Sequence, residues 1–431
     1  MTTAFPFLTT YDPLGTSEGT LDPLGLYQIA DQLAVQLVPA VRERMQRVRF
    51  LTAVAVGSLI VEGLDDDPRH RDASPYLVWE WLVVEAIVRR FVTEGDLAGV
   101  AGRHMARRAI DKFGYLDARS YLKTPRIFGI HGVYKRLAVH LRLLDVHLGP
   151  GPNAERLVDA WARDIDAAGG DAKALIAKWK SGVRRCLEQG TPQTKTNWSK
   201  GSWDELADAF APGAARANEK RFLRRLLLGA EGQSVGAFPA IWELQAGYDP
   251  KTFEEESLHR ELAEVEPSYG PLLHAIRAYE SFARSLQDAF DVLKAEAAKS
   301  EAQGYVVPKI ADSRDFKKCT ANVQRQFEAA HDALGAAAIV NRVSQGLFAE
   351  RFKVFSEPMP PSACALALCE HHVKIQEGKS ATGKRAWFDR LGPDRIYIRH
   401  AYREERRDIA PGVYVHEYRG RPIGRFRKDL S

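Results

Sequence analysis

The chain has 431 residues, of which 45% are hydrophobic and 27% are charged, and its net charge is only +5. This composition is typical of a folded globular protein and argues against long disordered segments. The length predicts two or three domains, because one hydrophobic core usually stops growing below this size. No apolar run is long enough to cross a bilayer, and the N-terminus lacks the pattern of a signal peptide, so we expect a cytoplasmic protein without a membrane partner.

Turn and proline signals divide the chain into three predicted domains. The glycine- and proline-rich run Gly149–Asn153 marks the end of a helical N-terminal domain, residues 1–150. A second helical domain follows over residues 151–357, and the proline-rich run 358–361 opens a basic tail, residues 358–431. These patterns predict a mostly α protein, with multi-helix N-terminal and central domains and a small C-terminal α+β domain.

A buried helix is predicted in the N-terminal domain, from just after Ser74 to Val92. Its residues are apolar on nearly every side, which is typical of a central element of a helical core. Glu80 and Glu85 interrupt the apolar pattern, and a buried carboxylate needs a partner. Arg89 follows Glu85 by four residues, so we expect a structural ion pair rather than a catalytic pair of carboxylates.

A second helix of the same domain carries a basic face. Gly129 and Gly132 bracket His131 in a predicted turn, after which apolar residues recur at helical spacing. Lys135 and Arg136 lie away from the apolar face of this helix. A basic helix after a glycine turn is typical of the second helix of a helix-turn-helix, which enters the major groove. An amphipathic helix with a solvated basic side fits the same residues, and both interpretations stay open.

The tail is predicted to combine one helix with a small β-hairpin. Ser362–Gln376 has the apolar spacing of a helix, and a glycine-containing basic loop follows it. Arg395–Tyr402 and Val413–Tyr418 alternate apolar and polar residues, as half-buried strands do. Ile396 and Ile398 are expected to face inward, with Arg399 on the opposite face.

The tail also concentrates positive charge. Residues 371–431 contain 15 Lys and Arg against 8 Asp and Glu, whereas the rest of the chain is close to neutral. Cations neutralise phosphates and aromatic rings stack on unpaired bases, so this mixture predicts nucleic-acid binding. The predicted contacts are Lys379, Lys384, Arg385, Trp387, Arg395, Arg399, Arg403, Lys135 and Arg136. The alternative is a solvated surface whose arginines pair with Glu404, Glu405 and Asp408.

Catalytic signatures are incomplete. Glu377 and Lys379 have the Glu-x-Lys spacing of many metal-dependent nucleases, and His371 would complete a site for Mg²⁺. Zn²⁺ would need Cys364 and Cys369 with nearby histidines, but neither CxxC nor HxxxH is present. The sequence also lacks a Walker A motif, a dinucleotide fingerprint, a GxSxG elbow and HExxH, which disfavours an ATPase, a Rossmann dehydrogenase, an α/β-hydrolase and a zincin. We therefore expect no catalytic residue and no cofactor, with Mg²⁺ or Zn²⁺ as the alternative.

Two parts of the chain resemble an uncharacterised bacterial family that is encoded in defence islands beside helicases and nucleases. One is Phe128–Ala138, FGIHGVYKRLA, and the other is the tail, with Cys369–Lys379, Gly383–Arg390 and Val415–Gly420. The resemblance implies a role in protecting a bacterium against phage or other foreign DNA, within a multi-protein complex. It assigns no catalytic residue.

These observations lead to one hypothesis and two alternatives. The hypothesis is a non-enzymatic subunit of a bacterial anti-phage defence complex that binds DNA or RNA and works with other defence proteins such as a helicase or a nuclease. One alternative is a divergent metal-dependent nuclease that uses Glu377, Lys379 and His371. The other is a protein-protein scaffold without nucleic-acid contact.

Overall fold

The structure is a computed structural model that describes residues 22–64, 73–122, 124–189, 194–213, 215–233, 235–300, 303–337, 342–379, 383–403 and 413–431. These residues contain eighteen α-helices and three short strands. The predicted mostly α fold with a small α+β region is therefore confirmed. Among the same residues, none of the helices combines the length and the apolar character that a membrane span requires.

The described residues fall into two compact units. The first unit contains those of Met1–Ala34 and Glu254–Tyr418, and the second contains Val35–Phe253 and Arg419–Ser431. The predicted domain limits at residues 150 and 357 stay predictions. Helix α1 contributes residues to both units. The elements of the first unit are α1 (Tyr27–Leu37), α12 (Glu255–Val265), α13 (Gly270–Ala298), β1 (Tyr305–Val306), α14 (Arg314–Thr320), α15 (Val323–Ala336), α16 (Arg342–Phe352), α17 (Pro361–Glu377), β2 (Phe388–Arg390) and β3 (Arg395–Ile398).

The first unit is built around α13, a helix of 29 residues. Leu286, Phe290 and Leu293 recur at helical spacing on its buried face. Phe282, on the same helix, packs edge-on against other phenylalanine rings, with 5.1 Å between its ring centroid and that of Phe348. Such tilted aromatic pairs add to the stabilisation that burial alone provides. Helices α14 and α15 pack along α13, so this helix forms the spine of the unit.

A three-stranded antiparallel sheet in the order β1-β3-β2 completes the first unit. Ile396 and Ile398 of β3 are buried, as the alternation predicts. Several details differ from the prediction. The strand predicted over Arg395–Tyr402 ends at Ile398, and β2 lies where a basic loop was predicted. The second strand partner comes from Tyr305–Val306, which is distant in sequence. Val413–Tyr418 is not a strand, because several of its backbone N–H groups donate to buried carboxylates instead of to a neighbouring strand.

The regular elements of the second unit, where it is described, are helices, and two isolated β-bridges join its loops. Its core contains Trp79, Trp161, Trp179 and Phe210, whose ring centroids lie 5.6–6.0 Å apart. Gly57 lies against this cluster, since a Cβ at that position would stand 2.4 Å from the Trp79 ring. The elements of the unit are α2 (Phe50–Val61), α3 (Pro75–Arg90), α4 (Arg103–Phe113), α5 (Pro125–Phe128), α6 (Ile130–His140), α7 (Pro152–Asp166), α8 (Ala172–Glu188), α9 (Lys200–Phe210), α10 (Ala217–Leu227), α11 (Phe238–Leu244) and α18 (Gly420–Leu430).

The predicted ion pair on α3 is present. The guanidinium of Arg89 stands 2.5 Å from the carboxylate of Glu85, four residues earlier on the helix. Glu85 also accepts hydrogen bonds from the backbone N–H of Leu116, at 3.1 Å, and from the hydroxyl of Thr196. Burial raises the pKa of Glu85, and these donors oppose that effect. Glu85 is thus a structural acceptor that ties two loops to α3.

Candidate nucleic-acid interface

Three of the tail arginines bind groups of the protein itself. Arg399 is only 1% exposed, so its guanidinium is not available to a phosphate in this conformation. Arg395 donates to the backbone carbonyl of Gln303 at 3.0 Å. Arg403 donates to the carbonyl of Ile398 at 2.9 Å, and its guanidinium lies over the Tyr397 ring, 4.6 Å from the centroid. The expectation that Arg399 faces away from the core is wrong. The proposed acidic partners Glu404, Glu405 and Asp408 lie outside the described residues.

Trp387 packs within the first unit. Its ring stacks on that of Tyr402, with 4.8 Å between centroids and 6° between planes. The ammonium of Lys294 lies 5.5 Å from the centroid of the Trp387 ring. The Trp387 backbone N–H donates to Nε2 of His372 at 3.0 Å. Intramolecular partners thus occupy the aromatic surface that a base would need for stacking.

The basic loop keeps two partly accessible cations. Arg385 is exposed and stands 3.0 Å from the carboxylate of Asp389. Lys384 is half-buried. Lys379 donates from Nζ to the backbone carbonyl of Asp22, and burial lowers its pKa. The seven tail side chains therefore do not form one exposed cationic surface.

Of the residues of the nuclease alternative, His371 and Lys379 bind backbone carbonyls, and Glu377 is exposed. Nε2 of His371 lies 2.9 Å from the carbonyl of Leu24, and burial lowers the pKa of His371 to about 4. Glu377 is exposed at the end of α17. Within the described ranges, no three His, Cys, Asp or Glu side chains are placed to hold a metal ion. Burial raises the pKa values of Cys364 and Cys369 to about 12, which disfavours the thiolate that Zn²⁺ binds.

The helix after Gly129 starts earlier than predicted. Helix α6 begins at Ile130, so Gly132 is helical and not part of a turn. The carboxylate of Glu80 lies at this helix start and accepts a hydrogen bond from the His131 N–H at 2.9 Å. A carboxylate there satisfies free N–H groups and opposes the positive end of the helix dipole. A Cβ at Gly129 would stand 1.9 Å from Glu80 Oε1, so this packing requires glycine.

The helix-turn-helix interpretation does not fit this geometry. The preceding helix, α5, has only four residues. Helix α6 buries seven of its eleven residues, which leaves Lys135 half-buried and Arg136 exposed on a narrow face. A recognition helix must project far enough to reach base edges in the major groove. Lys135 and Arg136 are thus accessible, but on a helix that is largely embedded in its unit.

A small basic patch surrounds α5. We call it the α5 patch and define it by Arg44, Arg126, Ile127, Phe128 and Lys135. Phe128 is 43% exposed and Ile127 is 51% exposed. The Arg44 guanidinium lies over the Phe128 ring, 4.6 Å from its centroid. In the part of the chain that the structure describes, none of the three cations pairs with a carboxylate.

Arg126 and Lys135 converge on the same histidine. Burial and the nearby charges of Lys135 and Arg126 lower the pKa of His131 to about 4. His131 therefore stays neutral near pH 7 and adds no charge to the α5 patch. Gly132 lets α6 pack on the α5 backbone, where a Cβ would stand 2.6 Å from the Arg126 carbonyl.

The α5 patch lies in a charged stretch of which the sequence pattern indicates only the helix that carries Lys135 and Arg136. Residues 103–142 contain 10 Lys and Arg against 2 Asp and Glu, a denser excess than in the tail. A count of charge in a sliding window would have identified this stretch. The sequence places Arg44 in a basic junction that could face phosphates, but its contact with Phe128 depends on the fold.

Residues Val415–Gly420 of the resembling tail segment serve a structural role. Glu280 is 1% exposed and accepts four hydrogen bonds from this segment. Its Oε2 accepts from the backbone N–H groups of Val415, at 2.5 Å, and His416, at 3.3 Å. Its Oε1 accepts from the Tyr418 hydroxyl at 2.6 Å and lies 2.7 Å from His416 Nδ1. These contacts fix the segment on α13.

Comparisons with known proteins add nothing to what the geometry of the α5 patch shows. No protein-family model, no curated protein and no solved structure matches the chain significantly.

Proposed function

We propose that this chain is a non-enzymatic nucleic-acid-binding subunit of a bacterial anti-phage defence complex, and that it contacts the polymer through the α5 patch. The observation that carries the proposal is that Arg44 lies over the exposed ring of Phe128, while Arg126 and Lys135, on α5 and α6, both act on His131 and have no carboxylate partner among the described residues. Phosphates supply the negative charge that these cations lack, and release of counterions drives such binding.

The shape of the α5 patch favours a single strand over a duplex. Phe128 offers an exposed aromatic surface, and base stacking on aromatic rings requires bases that are not paired. Arg44 already covers part of the same ring, so a base would stack on the 43% of Phe128 that stays exposed. The embedded α6 offers no projecting helix for a major groove. We therefore expect binding to single-stranded DNA or RNA to exceed binding to a duplex of equal length.

The defence setting is supported by the resemblance of Phe128–Ala138 to the defence-island family. That segment includes Phe128 and Lys135 of the α5 patch and also Arg136. A subunit that holds a strand without cutting it needs catalytic partners, such as a helicase or a nuclease. The nuclease alternative gains no support from the positions of Glu377, Lys379 and His371.

We expect the double substitution Arg126→Glu/Lys135→Glu to weaken single-strand binding at least tenfold at low salt. Two phosphate-neutralising charges are lost and two repelling charges replace them. For the unmodified chain, three phosphate contacts predict a slope of log affinity against log salt of about −2. Fluorescence anisotropy with a labelled 20-nucleotide single strand at several salt concentrations measures both quantities.

Lys317→Glu/Lys318→Glu is the matched control, since both lysines are exposed on α14 and the charge change is the same. Equal loss of affinity in both double variants would show that only net charge matters and would reject the α5 patch. Absence of binding at low salt would reject the whole proposal. Cleavage of the strand with Mg²⁺ that is lost in Glu377→Ala would favour the nuclease instead.

We expect Phe128→Ala to weaken single-strand binding by about 1–3 kcal/mol, which is the range for loss of one stacked base. Phe128→Tyr keeps the ring and should bind like the unmodified chain. Duplex binding should change little in either variant. The same anisotropy titration, with single-stranded and duplex probes of one sequence, checks this. Equal losses for both probes would contradict stacking as the role of Phe128.

A further inference from the structure

The first unit contains an open cleft that the proposed function does not use. Its volume is ≈ 400 Å³, which lies within the usual range for small-molecule sites. The residues before α1 form one side of the cleft, and α16 and α17 form the other. Gly25 belongs to this wall with φ +73°, and a Cβ there would stand 2.8 Å from the Ile375 side chain.

Three cations line the cleft. Lys374 is exposed, while Arg351 and Lys379 are half-buried. Their hydrogen bonds go to neutral groups: Arg351 donates to the Gly25 carbonyl and to the Gln28 side chain, each at 2.7 Å, and Lys379 donates to a backbone carbonyl. No carboxylate among the residues that the structure describes forms an ion pair with any of the three. Fixed cations in a concave site focus positive potential.

The acidic groups of the cleft form no ion pair with these cations among the described residues, although the charge of Asp22 acts on Lys379. The Asp22 carboxylate accepts from the backbone N–H groups of Leu26, at 2.8 Å, and Tyr27, at 3.1 Å, and so caps the start of α1. Glu350 is exposed. His371 faces the cleft, but it binds the Leu24 carbonyl and burial keeps it neutral near pH 7. Its neutral ring adds no charge to the cleft.

We propose that this cleft binds a small molecule that carries a phosphate group and has the size of a nucleotide or a sugar phosphate. The planar guanidinium of Arg351 can donate two parallel hydrogen bonds to phosphate oxygens. The flexible ammonium of Lys374 attracts the same oxygens as a point charge. Leu347 and Ile375 give the cleft apolar surface for the rest of the ligand. The site lies in the first unit, whereas the α5 patch belongs to the second, so the two proposals can fail separately.

Isothermal titration with ATP, AMP and ribose 5-phosphate, at constant ionic strength, tests the proposal. We expect saturable binding of at least one probe with one site per chain. Lys374→Glu should weaken that binding at least tenfold, because Lys374 is exposed and its replacement leaves the fold intact. Arg351→Lys, which removes the two parallel donors but keeps the charge, should weaken it less. Absence of saturable binding by all three probes would overturn the proposal.

Two control variants make the result specific. Lys353→Glu changes an exposed lysine just beyond α16 that does not line the cleft, and it should bind the probe like the unmodified chain. Arg126→Glu/Lys135→Glu should also leave probe binding unchanged, although it abolishes the α5 patch. Loss of probe binding in that double variant, with retention in Lys374→Glu, would assign the phosphate site to the α5 patch and overturn the cleft.

Discussion

Glu280→Gln is expected to destabilise the protein by roughly 1–3 kcal/mol, although the two side chains have nearly the same shape. Glu280 is 1% exposed, and both of its oxygens accept two hydrogen bonds from Val415–Tyr418. A glutamine keeps its oxygen for the N–H groups of Val415 and His416 only if its amide group donates to the Tyr418 hydroxyl and to His416 Nδ1, so that hydroxyl must turn and that ring nitrogen must change from donor to acceptor. The rearranged bonds join neutral groups, and such bonds are roughly half as strong as those to a carboxylate.

Thermal unfolding followed by circular dichroism at 222 nm checks this prediction. Tyr418→Phe removes only one of the four bonds, so it should cost about 1 kcal/mol. Glu266→Gln is the control for loss of one carboxylate in the same unit, because Glu266 is exposed. If Glu280→Gln melts at the same temperature as Glu266→Gln, the four bonds do not stabilise the fold.

The Glu280 contacts also explain why one predicted strand does not form. Val413–Tyr418 alternates as a strand does, and local sequence gives no reason to reject that pattern. A carboxylate more than 130 residues earlier takes two of its N–H groups, at separations of 135 and 136 residues. Pairing with such a distant acceptor depends on the tertiary fold, so a local pattern cannot predict it.

Helix boundaries and buried faces were predictable where apolar spacing was long and regular. The tail helix was predicted over Ser362–Gln376 and is present as α17, one residue longer at each end. The start of α6 was missed, because the signal there is not a local capping residue but the Glu80 carboxylate from another helix. The sequence pattern predicts a turn at Gly129 and Gly132. In the structure both positions require glycine, because Glu80 and the α5 backbone leave no room for a side chain.

In the candidate site, too, the sequence predicts local features but not contacts between residues that are distant in the sequence. Lys135 and Arg136 were identified from the sequence, since both lie off the apolar face of α6. The charge excess of the tail was also correct as a count, but a count does not reveal that Arg399 is buried or that Trp387 stacks on Tyr402. Charge composition identifies a region, and burial decides which of its cations a ligand can reach.

The buried carboxylate at the start of α6 makes a pH-dependent prediction. Burial raises the pKa of Glu80 to about 7, an effect that hydrogen bonds from the backbone of His131 and Ile130 and from Tyr121 oppose. In the unfolded chain this carboxyl has an ordinary pKa near 4.5. Between these values the folded protein holds a proton that the unfolded chain has lost. Glu80 therefore lowers the free energy of unfolding as pH rises from about 4.5 to 7, by roughly 3 kcal/mol in total, and has no further effect above that range.

Glu80→Gln removes this titration and keeps an acceptor for the His131 N–H. We expect the free energy of unfolding of the variant, relative to the unmodified chain, to be roughly 2.5 kcal/mol more favourable at pH 8 than at pH 5. Urea unfolding at both pH values measures it through tryptophan fluorescence, since Trp79 and Trp81 flank Glu80 on α3. The comparison cancels groups that titrate in both proteins, including most of the effect of His131.

Glu188→Gln, at an exposed carboxylate of α8, controls for loss of one charge. If the free energies of unfolding of the variant and the unmodified chain differ equally at pH 5 and pH 8, Glu80 is already ionised throughout this range. The α6 N-terminus then stabilises the ionised carboxylate more strongly than burial disfavours it.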